Sequence, residues 1–297
     1  MKNNSLTLTV VANLTSNYGE SLGNVASVQK VFKNGEIYSM RSRESMKNAF
    51  MVQSGMYDDL KVDVDGAAQK RVNSELNVSN CRALEGGYMN TNVGKEKLTF
   101  VRSSSFYMTD AIACEPFVNE TRFHNNLHLA KTHAKEKGIN LQNKAKESGL
   151  MPYNYEYDKS LKIYSITFDL EMIGKDENFS QEASSKEKYD RVCSMLDAVE
   201  NLNLKVKGNL DNSEPIFIVG GIGRRKTHVF ENVIHIKKRS LVITDDLADK
   251  IGNGYKVGIL RSGHLQNENE IIEKFSPVTV TTFFASLKDD IKSYFGV

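Results

Sequence analysis

The sequence predicts an α+β fold, because segments with the periodicity of strands and of helices interleave along the chain without a regular repeat. Residues 6–14 alternate apolar and polar side chains, which predicts a half-buried strand. Residues 161–172 predict a second long strand, with Lys162 on its polar face, and residues 180–203 carry apolar side chains at helical spacing. A regular βα repeat would instead predict a doubly wound parallel sheet.

Shorter elements follow from the same rules. Residues 25–32 indicate a further extended segment, and Asn34-Gly35 predicts a tight hairpin turn before Ile37. Additional strands are predicted over residues 98–108, 215–219, 229–236 and 241–244, and additional helices over residues 245–251 and 281–295. Residues 126–146 form a basic segment that is predicted to be helical or irregular.

The composition describes a chain that can build a core and has almost no net charge. Of its 297 residues 40% are hydrophobic, and 39 basic against 37 acidic residues leave a net charge of +2. This balance neither requires nor excludes a nucleic-acid partner. Whether such a partner is predicted therefore depends on how the basic residues cluster. Cys81, Cys114 and Cys193 are far apart, and no CxxC pair exists, so neither a zinc site nor a disulfide framework is predicted.

The same features predict where the protein works. Widely spaced, unpaired cysteines favour a reducing, cytoplasmic setting. The N-terminal residues lack the continuous apolar core of a signal peptide, and no stretch has the length of a membrane span. We therefore expect a cytoplasmic protein without a membrane partner.

A first basic cluster lies at the start of a probable helix within residues 39–51. Ser42 is placed to cap this helix, and Met46, Ala49 and Phe50 fall on one apolar face. The polar side chains gathered at the helix start are Arg41, Ser42, Arg43, Ser45 and Lys47. Free backbone N–H groups and the helix dipole favour an anion there, so a phosphate contact is one interpretation. An ordinary capped helix with solvated cations is the other.

A second basic cluster follows the strand predicted over residues 215–219. Residues 220–226 read Gly-Gly-Ile-Gly-Arg-Arg-Lys, but Lys226 stands where a dinucleotide fingerprint needs its third glycine. The P-loop pattern also fails, because Arg225 precedes Lys226 where that motif needs glycine. What remains is a glycine turn with three consecutive cations, which suits phosphate oxygens or is simply an exposed turn.

Catalytic and metal-binding motifs find little support. His124 and His128 have the spacing of a helical zinc pair, but the glutamate of the metalloprotease motif and a third ligand are missing. No serine or cysteine stands in an elbow-type glycine turn. We therefore expect no cofactor, no metal and no catalytic residue.

Several segments resemble a known family, and they follow one another in the order found in that family. They are residues 25–30, 34–38, 41–49, 109–112, 156–174 and 219–221 together with Arg224-Arg225. They are similar to the Cas-seven family, the backbone subunits of type I CRISPR Cascade complexes. The branch they resemble most is the DevR type of type I-B systems.

The resemblance implies a modified RRM-like, or ferredoxin-like, palm with large insertions. A finger-like insertion would span residues 57–100 and a thumb-like insertion residues 113–157. The palm would then be built from residues 1–56, 101–112 and 158–297.

The resemblance also implies a function. Members of the family polymerise along CRISPR RNA, hold its sugar-phosphate backbone and leave guide bases free to pair with target DNA. The implied partners are CRISPR RNA, target DNA paired to the guide, copies of the chain in a helical filament, and other Cascade subunits. The implied RNA-binding residues are Arg41, Ser42, Arg43, Ser45, Lys47, Gly220, Gly221, Arg224, Arg225 and Lys226. Related subunits of type III complexes cut RNA with a loop aspartate, and no residue here is assigned that role. A non-enzymatic protein is thus expected, with a metal-dependent endoribonuclease of that class as the alternative.

Overall fold

The computed structural model describes residues 4–22, 25–60, 62–65, 68–70, 72–93 and 98–297, and its interleaved helices and strands confirm the α+β class. The helices are α1 (Arg43–Gln53), α2 (Leu127–Lys137), α3 (Ser185–Glu200), α4 (Asp245–Gly252), α5 (Glu268–Phe275) and α6 (Val280–Phe295), and a 3₁₀ helix spans Arg82–Gly86. The strands are β1 (Ser5–Thr15), β2 (Tyr18–Leu22), β3 (Val25–Val28), β4 (Lys30–Lys33), β5 (Glu36–Arg41), β6 (Val62–Asp65), β7 (Ala68–Lys70), β8 (Tyr88–Val93), β9 (Leu98–Arg102), β10 (Phe106–Met108), β11 (Ala111–Ala113), β12 (Thr121–His124), β13 (Tyr153–Glu156), β14 (Lys159–Asp169), β15 (Asn203–Val206), β16 (Asn209–Asn212), β17 (Pro215–Gly223), β18 (Ile236–Lys237), β19 (Ser240–Leu241), β20 (Lys256–Ile259) and β21 (Val278–Thr279).

A central sheet is built around β1. Its strands run in the order β21-β20-β17-β1-β14-β11-β5-β4, and β10 also pairs with β14. Strand β1 pairs antiparallel with β14 and β17, so Thr7 lies opposite Thr167 on one side and Gly221 on the other. The predicted half-buried strand is instead covered on both faces, because all of β1 except Asn13 is buried.

Two apolar layers enclose this sheet. Helices α1, α3 and α6 cover one face, where Phe50, Leu196 and Phe284 pack in one cluster with Leu8. A second cluster on the other face joins Val11 of β1 to side chains of β17, α4 and α5. Burial of these apolar side chains stabilises the sheet from both sides.

Helix α1 forms as the spacing of its apolar residues predicted. Met46 and Phe50 are fully buried, and Ala49 packs against the same cluster. The hairpin predicted at Asn34-Gly35 is also confirmed, because both residues have positive φ and join β4 to β5. The C-terminal helix α6 ends at Gly296, which adopts the left-handed conformation.

Other predicted elements differ in the structure. The strand predicted over residues 98–108 is two strands, of which β9 pairs with β8 and β10 joins the central sheet. Residues 229–236, predicted as a strand, are turns and irregular backbone up to Ile236, and β20 and α5 were not predicted.

Lys162 does not lie on a polar face. It is fully buried on the same side of β14 as Tyr164, because positions two apart on a strand share a face. Its Nζ donates to the carbonyl oxygen of Leu14 at 3.0 Å and to Oδ2 of Asp158 at 2.5 Å. The charge is thus satisfied inside the protein.

A second, smaller sheet has the strand order β12-β13-β3-β2. Strand β13 pairs antiparallel with β12 and parallel with β3. Helix α2 lies in the chain between β12 and β13. This sheet thus joins residues near the N-terminus to the segment predicted as a thumb.

Candidate nucleic-acid interface

Backbone N–H groups at the start of α1 already donate hydrogen bonds to other groups of the protein. Ser42 caps the helix, with its hydroxyl accepting from the N–H of Ser45 at 3.3 Å. The N–H of Arg43 donates to Oδ1 of Asp110 at 2.7 Å, so a carboxylate already lies at this positive helix end. The Arg43 side chain extends outward, 66% exposed, beside Glu44 at 2.8 Å.

Two cations of this first cluster have internal partners. Arg41 is only 8% exposed and donates from Nη1 to the carbonyl oxygen of Thr15 at 3.2 Å, and burial lowers the pKa of its guanidinium. Lys47 donates to the carbonyl oxygen of Gly86 at 2.8 Å and to Oγ of Ser104 at 3.2 Å. Arg41 therefore supports the sheet and Lys47 fastens the 3₁₀ helix to α1.

Arg43 lies at a groove of about 720 Å³. Its walls come from the β4–β5 hairpin, from β10 and β11, and from residues 228–237. The charged side chains in these walls are Lys33, Arg43, Lys237, Asp110, Glu115 and Glu231. The groove is thus mixed in charge, with cations placed along more than one wall.

His228 forms part of the same groove and is held by the central sheet. Its Nδ1 lies 2.9 Å from the hydroxyl of Thr167, and burial lowers its pKa below the ordinary histidine value. The imidazole is therefore neutral at pH 7, so it can hydrogen-bond to a ligand but adds no charge to the groove.

The predicted glycine turn is wrong, because β17 continues through Gly223. Gly220 and Gly221 are buried in the central sheet opposite Leu8 and Thr7. A Cβ on Gly220 would stand 2.1 Å from the carbonyl oxygen of Thr7, so a glycine is needed for the close approach of β1. These glycines shape the sheet.

The cations that follow β17 differ from one another. Arg224 and Arg225 are exposed, and within the described ranges neither has a carboxylate at ion-pair distance. Lys226 is 40% exposed and lies 2.8 Å from both Asp169 and Glu171. Two of the three predicted cations are thus available to an anion without first breaking an ion pair.

The structure does not join the two basic clusters. Arg41 and Gly221 lie four strand spacings apart, from β5 through β11, β14 and β1 to β17, which alone is about 19 Å. The register also places Gly221 further along β17 than the position level with Arg41. Residues 224–227 lead directly to His228 in the groove wall. Sequence reasoning missed Lys33, an isolated lysine, and Lys237, which begins the run Lys237-Lys238-Arg239.

In the described part of the chain, no three side chains of His, Cys, Asp or Glu lie close enough together to hold a metal ion. Among the helices of those same ranges, none is both long and apolar enough to cross a bilayer.

Solved structures share this fold. A chain described as "CRISPR RNA-guided surveillance complex, pre-nicking" superposes with a TM-score of 0.58 at 9% identity, covering 95% of this chain and 100% of its own. A chain described as "CRISPR RNA-guided surveillance complex" gives 0.56 at 12% identity, with coverage of 98% and 99%. At these identities the likeness shows the fold alone. No curated protein matches the sequence.

The fold is thus one also found in chains of CRISPR surveillance complexes. The family described as "CRISPR-associated negative auto-regulator DevR/Csa2" matches residues 6–240. The chain belongs to this family, which confirms the DevR resemblance.

Proposed function

We propose that this chain is a non-catalytic backbone subunit of a type I-B Cascade complex that binds CRISPR RNA. The observation that carries the proposal is a pair of exposed arginines, Arg224 and Arg225, without an ion-pair partner among the described residues. They precede His228, which lines the same groove as Arg43. Contacts of this kind bind phosphates without reading base sequence. Family membership and the surveillance-complex chains that share the fold support this assignment.

The topology supports an RRM-like palm. In chain order β1, α1, β11, β14, α3 and β17 form a βαββαβ series, and the spatial order is β17-β1-β14-β11 with both helices packed in one apolar cluster. We retain the palm at residues 1–56, 101–112 and 158–297, with a finger over 57–100 and a thumb over 113–157.

The ten RNA-binding residues divide into two roles in this proposal. Residues that would touch phosphate directly are those at the surface, namely Ser42, Arg43, Ser45, Arg224, Arg225 and Lys226. Lys226 would first exchange its partners Asp169 and Glu171 for RNA. Four residues would stabilise the structure beneath these phosphate contacts, namely Arg41, Lys47, Gly220 and Gly221.

Polymerisation and target pairing complete the proposal. A chain that stacks head to tail along RNA uses two different surfaces on each copy, and such contacts build open helical filaments. The guide bases would remain free to pair with target DNA, since the protein holds the backbone. Other Cascade subunits would close the two ends, and the assembly would work in the cytoplasm.

Electrophoretic shifts with single-stranded RNA of increasing length, at two salt concentrations, test this function. We expect discrete species that accumulate one by one as the RNA lengthens, with affinity that falls steeply with salt. Exchanging both Arg224 and Arg225 for Glu should lower the affinity for RNA by the same factor whatever the RNA sequence. Lys292→Glu, an exposed change on α6, is the matched control. A wild-type protein that binds no RNA, or only one short site, would contradict the proposal.

The same samples test the alternative endoribonuclease. RNA incubated with the protein and Mg²⁺ or Mn²⁺ should remain intact. Regularly spaced fragments that disappear when one aspartate is changed would replace the scaffold role with catalysis.

A further inference from the structure

A continuous row of aromatic rings lies on one face of the small β12-β13-β3-β2 sheet. His124, Tyr153, Tyr155 and Tyr18 form this aromatic strip. Successive ring centroids are 4.9, 6.1 and 6.4 Å apart. Tyr153 and Tyr155 are two positions apart on β13, and His124 pairs with Tyr153 in register, so these three side chains share a face.

Two cations contact aromatic rings within or next to the aromatic strip. Arg122 pairs with Tyr155 across β12 and β13, and its guanidinium lies 3.5 Å from the ring centroid of the adjacent Tyr157. Lys207 reaches across from the tip of the β15–β16 hairpin, with Nζ 4.9 Å from the Tyr18 ring and 5.7 Å from the Tyr153 ring. Lys207 is exposed and has no carboxylate at ion-pair distance within the described residues.

The aromatic strip is not part of the protein's core. Its three tyrosines are half-buried and its histidine is exposed, and none of them belongs to the apolar clusters found among the described residues. The Tyr18 hydroxyl donates to the carbonyl oxygen of Glu156 at 2.9 Å, which fixes this ring from its edge. Burial, followed by the neighbouring Tyr155 and Tyr157, raises the pKa of Tyr18 to about 12, so the ring is uncharged at physiological pH.

We propose that the aromatic strip stacks unpaired bases of a single-stranded nucleic acid, at a site separate from the groove. Every base has an aromatic face, so half-buried rings on a sheet bind bases with little sequence preference. Arg122 and Lys207 suit the phosphates that flank a stacked base. Lys207 would leave the faces of the Tyr18 and Tyr153 rings when a base stacks there. The site deepens the proposed RNA-binding function and rests on it, because it would hold bases while Arg224 and Arg225 hold backbone.

Short oligonucleotides of uridine and of thymidine, equal in length, test the stacking and distinguish RNA from DNA. Tyr153→Leu and Tyr155→Leu should each weaken binding roughly 5- to 150-fold, the range for loss of one base–aromatic stack. Tyr155→Phe retains the ring and should bind like wild type. Phe123→Leu is the matched control, since Phe123 is 65% exposed on β12 and points to the opposite face of the sheet.

Two further readouts separate base stacking from phosphate contact and from unfolding. The slope of log affinity against log salt should stay unchanged in Tyr155→Leu, because no phosphate contact is lost, and should fall by about one in Lys207→Gln. The sequence has no tryptophan, so stacking should quench tyrosine emission directly. This quenching should be weaker in Tyr155→Leu and retained in the Phe123 control, and the thermal transition of each variant checks its folding.

The outcomes distinguish this site from the proposed function as a whole. If the leucine variants lose affinity for the uridine oligonucleotide alone, the site binds an RNA strand. If they lose affinity for the thymidine oligonucleotide alone, it binds a DNA strand, and if they lose affinity for both, it accepts either strand. Unchanged affinity in both leucine variants, with binding still lost on reversing Arg224 and Arg225, overturns base stacking and leaves the RNA-binding role standing. Normal RNA affinity together with loss of self-association would make the strip a protein interface and also overturn the proposal.

Discussion

Glu85 and Arg191 form an ion pair at 2.9 Å in which both side chains are 1% exposed. Glu85 lies in the 3₁₀ helix and Arg191 in α3. The same carboxylate also lies 3.1 Å from Nη2 of Arg102 and accepts from the N–H of Gly174 at 2.6 Å. One buried carboxylate therefore connects three separate parts of the chain.

We expect Glu85→Gln to lower the free energy of unfolding by about 3–5 kcal/mol, because buried Arg102 would lose the Glu85 carboxylate and buried Arg191 would keep Glu187 alone of its two carboxylates. Urea denaturation measures this change. Glu75→Gln, at an exposed position ten residues earlier, is the control and should stay within about 0.5 kcal/mol of wild type. Equal destabilisation by both changes would mean that the buried pair has no special role.

Loss of charge at Lys47 and at Arg224 should affect different properties, namely stability for Lys47 and RNA binding for Arg224. Lys47→Met removes hydrogen bonds to Gly86 and Ser104, so we expect a loss of about 1–3 kcal/mol in stability. Arg224→Gln should leave stability unchanged and reduce the salt slope of RNA binding by about one. Denaturation and salt titration of both variants check this, and a stable Lys47→Met with a reduced slope would place Lys47 in direct contact with RNA.

Gly220→Ala should destabilise the central sheet by at least about 2–3 kcal/mol, because the added methyl group would overlap the Thr7 carbonyl oxygen. Gly252→Ala is the matched control: it lies at the end of α4 and a Cβ there would have no neighbour within 4 Å. Thermal denaturation compares the two. A Gly220→Ala protein as stable as wild type would show that β1 can shift to make room.

Asp158 should make the protein sensitive to acid. Burial alone would raise its pKa, but Lys162 and the hydroxyls of Ser16 and Ser39 outweigh burial and hold the pKa below the usual value. A carboxyl whose pKa is lowered on folding stabilises above its unfolded pKa, and this stabilisation is lost as pH falls through the folded one. The expected loss therefore begins near pH 4 and continues below it.

Denaturation at a series of pH values between 7 and 3 measures this effect. Asp158→Asn should be less stable than wild type at pH 7, and its stability should fall less steeply in acid. If the free energy of unfolding falls equally steeply with pH in the two proteins, Asp158 is not the source of the acid sensitivity.

Local signals predicted the elements that local contacts determine. Ser42 caps α1 through a residue three positions away, and Asn34-Gly35 forms a turn whose conformation few other residues adopt. Gly220 was misread because a glycine pair usually marks a turn, whereas the close approach of β1 comes from residues more than 200 positions away. No sequence pattern reports such a contact.

The surroundings of the candidate site residues could be predicted only in part, for the same reason. The exposed arginines after β17 follow from a dense run of cations, but the internal partners of Arg41 and Lys47 come from distant segments. The alternating tyrosines of β13 are visible in the sequence. Their neighbours Tyr18 and Lys207 become neighbours only when two separate hairpins meet.

The position of β1 has a consequence for synthesis on the ribosome. This strand emerges long before its neighbours β14 and β17, which begin at Lys159 and Pro215. At roughly 5–20 residues per second, both edges of an apolar strand stay unpaired for on the order of ten seconds. A strand that is buried in the finished protein is thus open to aggregation in the nascent chain, and slower growth at low temperature with chaperones should raise the soluble yield.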